Sequence, residues 1–478
     1  MATINSAFSV MSKALDADQA ALNVVSNNVA NANTPGYTAE KAVWQEDAPL
    51  TIRGIHYGDG SSVVTIKSTA DTVLQERLDQ QQQLASASDA RLTALNSVQS
   101  VFSVNTGSGT TSSGDIGTNL TSFFDSFSSL ESDPTNQSKR EEVLSTASTL
   151  AANISSASQN LSAQQGSLNQ SVATTVSQIN ALTKSIASLN KQIEAQGNTE
   201  NNLSLEDQRR QDISNLSKLV GINQVATGQD RLEITTTAGQ LLVSGDSYNA
   251  LTTGANDGVT DVFLTTTSSG STSSTDITSK LYEGGGQLGG ALQARDQDIS
   301  TVLGHLDQLA YGISTQVNAL NNAGTDLDED TSDAGNVFYQ PDEVAGSAGT
   351  MAVIMTDPNH IAAASSSAGT GDNSNSVAMA DLATAPIVDG ATPSDYYSTM
   401  LTNLGALVSE VQTQSTAQNA SVSQLQSQVS SESSVNLNDE ASTLATLERS
   451  YQAASQVFSL MNTLMASALN LGTQTTVS

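Results

Sequence analysis

Cysteine is absent from the 478 residues, which removes disulfides, thiolate metal ligands and cysteine nucleophiles from consideration. Basic residues are scarce: 17 Lys and Arg stand against 48 Asp and Glu, a net charge of -31. Such a chain repels phosphate backbones and anionic headgroups, so nucleic-acid binding and electrostatic attachment to membranes are not expected. No stretch approaches the roughly 18 consecutive apolar residues of a transmembrane helix, and no membrane insertion is expected. The first twenty residues lack both the basic segment and the continuous apolar segment of a cleaved secretion signal. That leaves a cytoplasmic chain or one exported by a route that cleaves no such peptide. Charged residues make up 14% and aromatics 4%, the polarity coming instead from Ser, Thr, Asn and Gln. The three histidines, His56, His305 and His360, are isolated from one another in sequence. Proline is rare too. Its seven copies leave residues 135–340 and everything after Pro393 free of it, and proline-free chain is where long helices persist.

What is present is heptad periodicity. Ile4, Phe8, Met11, Leu15, Leu22, Val25 and Val29 recur in alternating steps of four and three, interrupted at Asp18; this is the seam of a coiled coil. The turn residues Asn33-Thr34-Pro35-Gly36 predict a stop near Asn31. Short strands are expected over 42–68 and a second helix over 70–104, followed by a Gly/Ser/Thr linker at 105–118. Residues 140–195 carry the longest heptad run, from Leu161 through Val172, Ile179 and Ile186 to Ile193. A shorter helix is expected from Leu205 to Leu219. Over 222–283 the period drops to two, which predicts strands. Helical patterns return at 291–321 and 398–430. The C-terminal stretch repeats the opening theme through Leu437, Leu444, Leu447, Tyr451, Ala454, Phe458, Met461 and Met465, widened by Val457, Leu460 and Leu464. Two sticky helical ends are satisfied most economically by pairing with each other, their remaining apolar surface meeting other subunits.

The expected fold is mainly α with inserted β: an elongated, multidomain chain. Residues 1–104 and 431–478 would form a terminal coiled coil with its adjoining region. Residues 105–221, 284–321 and 398–430 would form a long-helix, rod-like middle domain. Residues 222–283 would be a small inserted β domain, and 322–397 a second, loop-rich insertion. Length allows about two to four domains.

Chemical motifs are weak. Gly284, Gly286 and Gly289 satisfy G-x-G-x-x-G, but no convincing strand precedes them and Leu303 stands where an acid is needed, so they read as a turn entering a helix. Asp326, Asp328, Asp330 and Asp333 resemble a calcium loop, but Thr331 and Val337 occupy the positions of its glycine and its glutamate. They read as a solvated acidic loop. No G-x-S-x-G places a nucleophile. No catalytic residue, cofactor or metal is expected.

The segment Ser26-Asn27-Asn28-Val29-Ala30-Asn31-Ala32-Asn33-Thr34-Pro35-Gly36-Tyr37-Thr38 resembles the N-terminal signature of bacterial flagellar rod, hook and hook-associated proteins. Val435-Asn436-Leu437 through Tyr451-Gln452-Ala453-Ala454 to Leu469-Asn470-Leu471 resembles its C-terminal partner. Leu189-Asn190-Lys191-Gln192-Ile193, Leu205-Glu206-Asp207-Gln208-Arg209, Gly286-Gln287-Leu288-Gly289-Gly290, Arg295-Asp296 and Leu306-Asp307-Gln308-Leu309-Ala310 are similar to the hook-associated branch at the hook–filament junction. Residues 341–397 resemble nothing in that family.

The resemblance implies a structural role outside the cell, at the junction of hook and filament, and no catalysis. It implies unfolded export through the flagellar type III apparatus, helped by a cytoplasmic chaperone on the C-terminal helix. The implied partners are other copies in a ring, the hook protein and the third hook-associated protein. A hook or distal-rod subunit, or a flagellum-displayed adhesin or enzyme carried by the insertions, are the alternatives. The interface residues expected are Ile4, Phe8, Met11, Leu15, Leu22, Val25, Val29, Leu444, Leu447, Tyr451, Phe458, Met461 and Met465. Asn27, Asn28, Asn31, Asn33, Pro35, Gly36 and Tyr37 form the family turn. The four asparagines can hydrogen-bond neighbouring backbone where the helical ladder ends.

Overall fold

A computed structural model describes residues 2–52, 54–102, 115–197, 202–227, 231–256, 258–268, 271–328, 335–366 and 368–473. The fold is mainly α with small inserted sheets. The chain forms two compact units: Met1–Gln83, Ile179–Ala250 and Asn419–Ser478 make the first, and Leu84–Gln178 and Leu251–Gln418 the second.

In the first unit, α1 (Ala2–Asn31) ends where the turn cluster predicts. Strands β1 (Glu40–Glu46) and β4 (Ser61–Ser68) pair antiparallel with a bulge at Val43/Trp44, and β2 (Leu50–Ile52) and β3 (Ile55–Tyr57) form a hairpin between them. Helix α2 (Thr72–Phe102) begins here. Helix α4 (Gln137–Gln196) ends here after 60 residues, about 90 Å at 1.5 Å per residue. Its heptad positions Ile179, Ile186 and Ile193 are buried together with Ile213 and Leu216 of α5 (Leu203–Leu219). Strands β5 (Ile222–Thr227), β6 (Arg231–Thr236), β7 (Leu241–Ser244) and β8 (Ser247–Tyr248) follow as one antiparallel sheet.

In the second unit, strands β9 (Ala250–Asn256), β10 (Val259–Ser268) and β11 (Ser271–Asp276) form a separate sheet. The expected single β domain at 222–283 is therefore two sheets, in different units. Period-two patterning shows that a segment is a strand, not which sheet it joins.

The expected 105–118 linker needs a second correction. Residues 105–114 lie outside the described residues, but helix α3 (Ile116–Glu131) has already begun at 116. Asp115 caps it, accepting from Gly117 N at 3.1 Å and Thr118 N at 3.2 Å. Its buried face, Ile116, Leu120, Phe123, Phe124, Phe127 and Leu130, is fully helical in spacing. Phe123 packs against Phe124, Phe127 and Phe338 with ring centroids 5.1–5.6 Å apart, so half of the chain's eight phenylalanines sit in one cluster.

Helices α6 (Thr278–Leu281), α7 (Gly286–Gln293), a π turn (Ala294–Ile299) and α8 (Ser300–Ala323) come next. The remaining helices are α9 (Ser347–Thr350), α10 (Ser374–Asp381), α11 (Pro393–Ser433) and α12 (Leu437–Thr473), the last lying in the first unit.

The 322–397 stretch is a third correction. It is loop-rich, but Val337, Phe338, Met351, Ile361, Met379 and Val388 belong to the same buried core as α3, α4 and α8. Polar rivets fix it. Buried Arg140 donates to the carbonyls of Pro134, Asn359 and Ile361, and Asn321 donates to those of Gly335 and His360.

Candidate assembly interface

The chain's two ends pair within the first unit, α1 against α12. Phe8 and Phe458 stack with centroids 4.4 Å apart and planes 35° from parallel. An aromatic pair of this kind is worth about 0.5–1.5 kcal/mol beyond its buried area. Phe8, Met11, Leu15 and Leu22 of α1 are half-buried, as are Leu444, Leu447, Phe458, Met461 and Met465 of α12. Val25 is buried, whereas Val29 (45%) and Tyr451 (39%) are exposed. Ile4 lies in α1.

Burial also runs along a stripe one position away from the expected seam, on Ala17, Ala21, Val24 and Asn28. Spaced four, three and four, these residues form a second heptad stripe. Small side chains there let other elements approach closely. Asp18, the apparent interruption of the seam, is buried as well. Lys13 ties the helix to the strand region through Asp47 at 2.9 Å and Asp59 at 2.6 Å.

Asn28, 1% exposed, holds the turn together. Its amide donates to Glu40 O and to Glu440 Oε1 in the first turn of α12, each at 2.9 Å. Its Oδ1 accepts from Glu40 N at 2.9 Å and from the Tyr37 hydroxyl at 2.8 Å. That is the full capacity of an asparagine side chain, two donors and two acceptors, and it joins α1, β1 and α12 at one point.

The asparagines therefore do not act as a group. Asn31 bonds back locally, donating to Asn27 O and Oδ1, and Asn27 reaches Glu40 Oε2 at 3.2 Å. Asn28 makes long-range contacts, because its position on the buried stripe turns it inward. Asn33 and Pro35 are exposed.

Beyond the turn, Gly36 has φ +81°, a left-handed conformation, and a Cβ there would lie 2.7 Å from Gln211 Oε1. Thr38 N and Oγ1 donate to Asp207 at 3.1 and 2.8 Å, and Arg210 completes the charge pair at 2.8 Å. The turn thus seats on α5. Burial, with the neighbouring Asp207 charge adding to it, raises the Glu40 carboxyl above the usual range. Burial and the charges of Glu40, Asp207 and Glu440 push the Tyr37 phenol up, keeping it a hydrogen-bond donor. The signals missed in the sequence are the acids Glu40, Asp207 and Glu440, which lie far apart in the chain and show no spacing rule.

Apolar surface remains outside the seam. Val457, Leu460 and Leu464 of α12 are 40%, 61% and 55% exposed, each one residue before a seam residue and so about 100° round the helix. A cleft of about 460 Å³ adjoins the pairing, floored by Ala21, Val24 and Val25 and rimmed by Trp44, Glu440 and Leu447.

Elsewhere, the glycine motif serves packing. A Cβ at Gly289 would lie 2.6 Å from Leu281 O, and one at Gly290 would lie 2.1 Å from Ala87 O. Of the acidic loop, Asp330 and Asp333 lie outside the described residues. Asp326, Asp328 and His360 bring ligand-type atoms within 4.8 Å of one another, so these three could hold a cation. Asp326 also faces the buried Arg140 charge. His56 and His305 pair with Thr51 and Tyr396 hydroxyls at 2.9 and 2.8 Å. Among the described residues, no helix is long and apolar enough to cross a membrane.

Residues 8–38, which contain the turn, match the flagella basal body rod protein family. The paired ends are thus those of a structural protein of the bacterial flagellum. Residues 95–339, more than half the chain, match the flagellar hook-associated protein FlgK helical domain, and the chain belongs to the FlgK family. It is 26% identical to flagellar hook-associated protein 1 of Escherichia coli (strain K12), over 96% of this chain and 98% of that protein. It is also 26% identical to the protein of the same name from Bacillus subtilis (strain 168), over 96% of each. The flagellar hook junction protein FlgK from Burkholderia pseudomallei shares the fold, with a TM-score of 0.64 at 18% identity over 73% of this chain and 98% of that one.

Proposed function

We propose that this chain is a non-enzymatic joint between hook and filament, built into a ring of its own copies outside the cell. The observation that carries the reading is the state of the two ends. They close on each other through Phe8–Phe458 and Asn28–Glu440, yet keep the Val457, Leu460 and Leu464 stripe and Val29 open. Apolar rows left exposed beside a closed seam suit packing against neighbouring subunits. The seam residues expected from the sequence then serve mainly within the chain, and the adjoining stripe serves between chains.

On this reading the hook protein lies below, the third hook-associated protein above, and a cytoplasmic chaperone covers the C-terminal helix before export. Electron microscopy of a strain lacking the chain is the test. Intact hooks without filaments, with unattached flagellin in the medium, are expected. Missing hooks would instead indicate a hook or distal-rod subunit, and normal filaments would overturn both.

A further inference from the structure

Asp79 is a carboxylate at 1% exposure with no basic side chain bonded to it among the described residues. It lies in the first unit where α2 meets β5 and α5. Gln75 Nε2, one turn earlier on α2, donates to its Oδ1 at 3.0 Å, and Gln224 Nε2 of β5 donates to its Oδ2 at 3.2 Å. Four residues on, Gln83 Nε2 donates to Ile222 O at 3.0 Å. Positions 79 and 83 share a helix face and 222 and 224 share a strand face, so two polar contacts dock β5 onto α2. One of these is titratable and the other is not. The Ser214 hydroxyl of α5 lies between Asp79 and Gln82.

The surrounding charges do little to hold an anion there. On α2, Glu76 and Arg77 are exposed. On α5, Lys218 is exposed and its attraction is the smallest of the effects on Asp79. Asp207 and Arg210 are paired with each other, Arg209 bonds Asn190, and Asp212 accepts from Ser185. Strand β5 carries no charged residue, and Glu233 of β6 accepts from Ser244.

We propose that Asp79 is a proton-operated latch, docking β5 and its sheet onto α2 more tightly when its carboxyl is protonated than when it is ionised. Two amide donors and a shared hydroxyl only partly replace the water that an ionised carboxylate loses on burial. The protonated acid needs less and gains a donor, which either glutamine can accept by turning its amide. Burial accordingly pushes the carboxyl up to about 6. Because the folded value is raised, the stabilisation is fully present below the ordinary aspartate range and is lost as pH rises through about 6.

The test compares the full chain with its Asp79→Asn variant, whose carboxamide mimics the protonated acid. At pH 7.5 the variant's thermal midpoint should exceed the wild type's by on the order of 5 °C. The gap should narrow as pH falls below about 6 and close only below the ordinary aspartate range. A gap that does not change with pH, no gap at any pH, or a less stable variant at pH 7.5 would each overturn the latch. If the variant fails to fold, the assigned Asp79 carboxyl carbon in the wild type decides by NMR. A midpoint near 6 is expected, and titration in the ordinary aspartate range would overturn the proposal.

Discussion

A chain lacking residues 1–30 or residues 440–478 is expected to keep a folded middle and to lose filament attachment altogether. Either deletion strips one partner from the α1–α12 pairing, in which Phe8 stacks on Phe458 and Met11, Leu15, Leu22, Leu444, Leu447, Met461 and Met465 are half-buried. At roughly 1 kcal/mol for each half-buried side chain, several kcal/mol of burial disappear. Both deletions also remove one side of the Asn28–Glu440 contact. The second unit draws its core from α3, α4, α8 and the 337–411 region, none of which is deleted. Its cooperative thermal transition should therefore survive. In cells lacking the full-length chain, either truncated form should leave hooks bare under electron microscopy. Filaments on such cells would contradict the assignment of assembly to the ends.

The second large effect is expected at Gly290. Replacing it with alanine would put a Cβ 2.1 Å from Ala87 O and 2.8 Å from Ala87 C. Both sides of that contact are main chain, so no side chain can swing away, and α7 must separate from α2. The same region carries the two-pronged bridge of Arg91 to Asp298, at 2.7 and 2.8 Å, which separation would strain. We expect a loss of about 3 kcal/mol or more, read as a lowered melting midpoint of the second unit. Gly304→Ala is the control. It lies within α8 with open space around its Cβ position, and should gain about 0.5–1 kcal/mol. Equal midpoints for Gly290→Ala and wild type would show that the close approach is not part of the native packing.

The contrast between these glycines shows where sequence reading reaches. Gly284, Gly286 and Gly289 show G-x-G-x-x-G in the sequence, but the close approach of Ala87, some two hundred positions earlier, to the adjoining Gly290 has no local spacing to announce it. Local periodicity was enough for α1 to end at Asn31 and for α4 to run unbroken, since proline and heptads act through near neighbours. α3 was legible as well, through Asp115 and its helical row of phenylalanines, but the Ser/Thr-rich composition beside it masked the signal. In 322–397 the elements are too short for any period to emerge, and the stretch is held by asparagine and arginine contacts that no local pattern announces, from Asn318 to Phe338, from Asn321 to Gly335 and His360, and from Arg140 to Asn359 and Ile361.

The turn divides in the same way. Its Pro35-Gly36 bend is written locally, and Gly36 takes the left-handed φ that such a bend uses. The role of Asn28 depends on Glu40 and Glu440, the latter 412 positions away. Asp18 interrupts the heptad in the sequence, yet it is buried in the structure because strands as well as a helix cover that part of α1.

The central claim is that the two ends close on each other within one chain, leaving the adjoining stripe for neighbours. The absence of native cysteine permits a direct test. Phe8→Cys and Phe458→Cys, introduced together and treated in isolated flagella with a short bismaleimide, should yield a cross-linked species of monomer mass. Cross-linked dimers and higher species in place of the monomer would show that the seam joins different subunits, and would contradict the account.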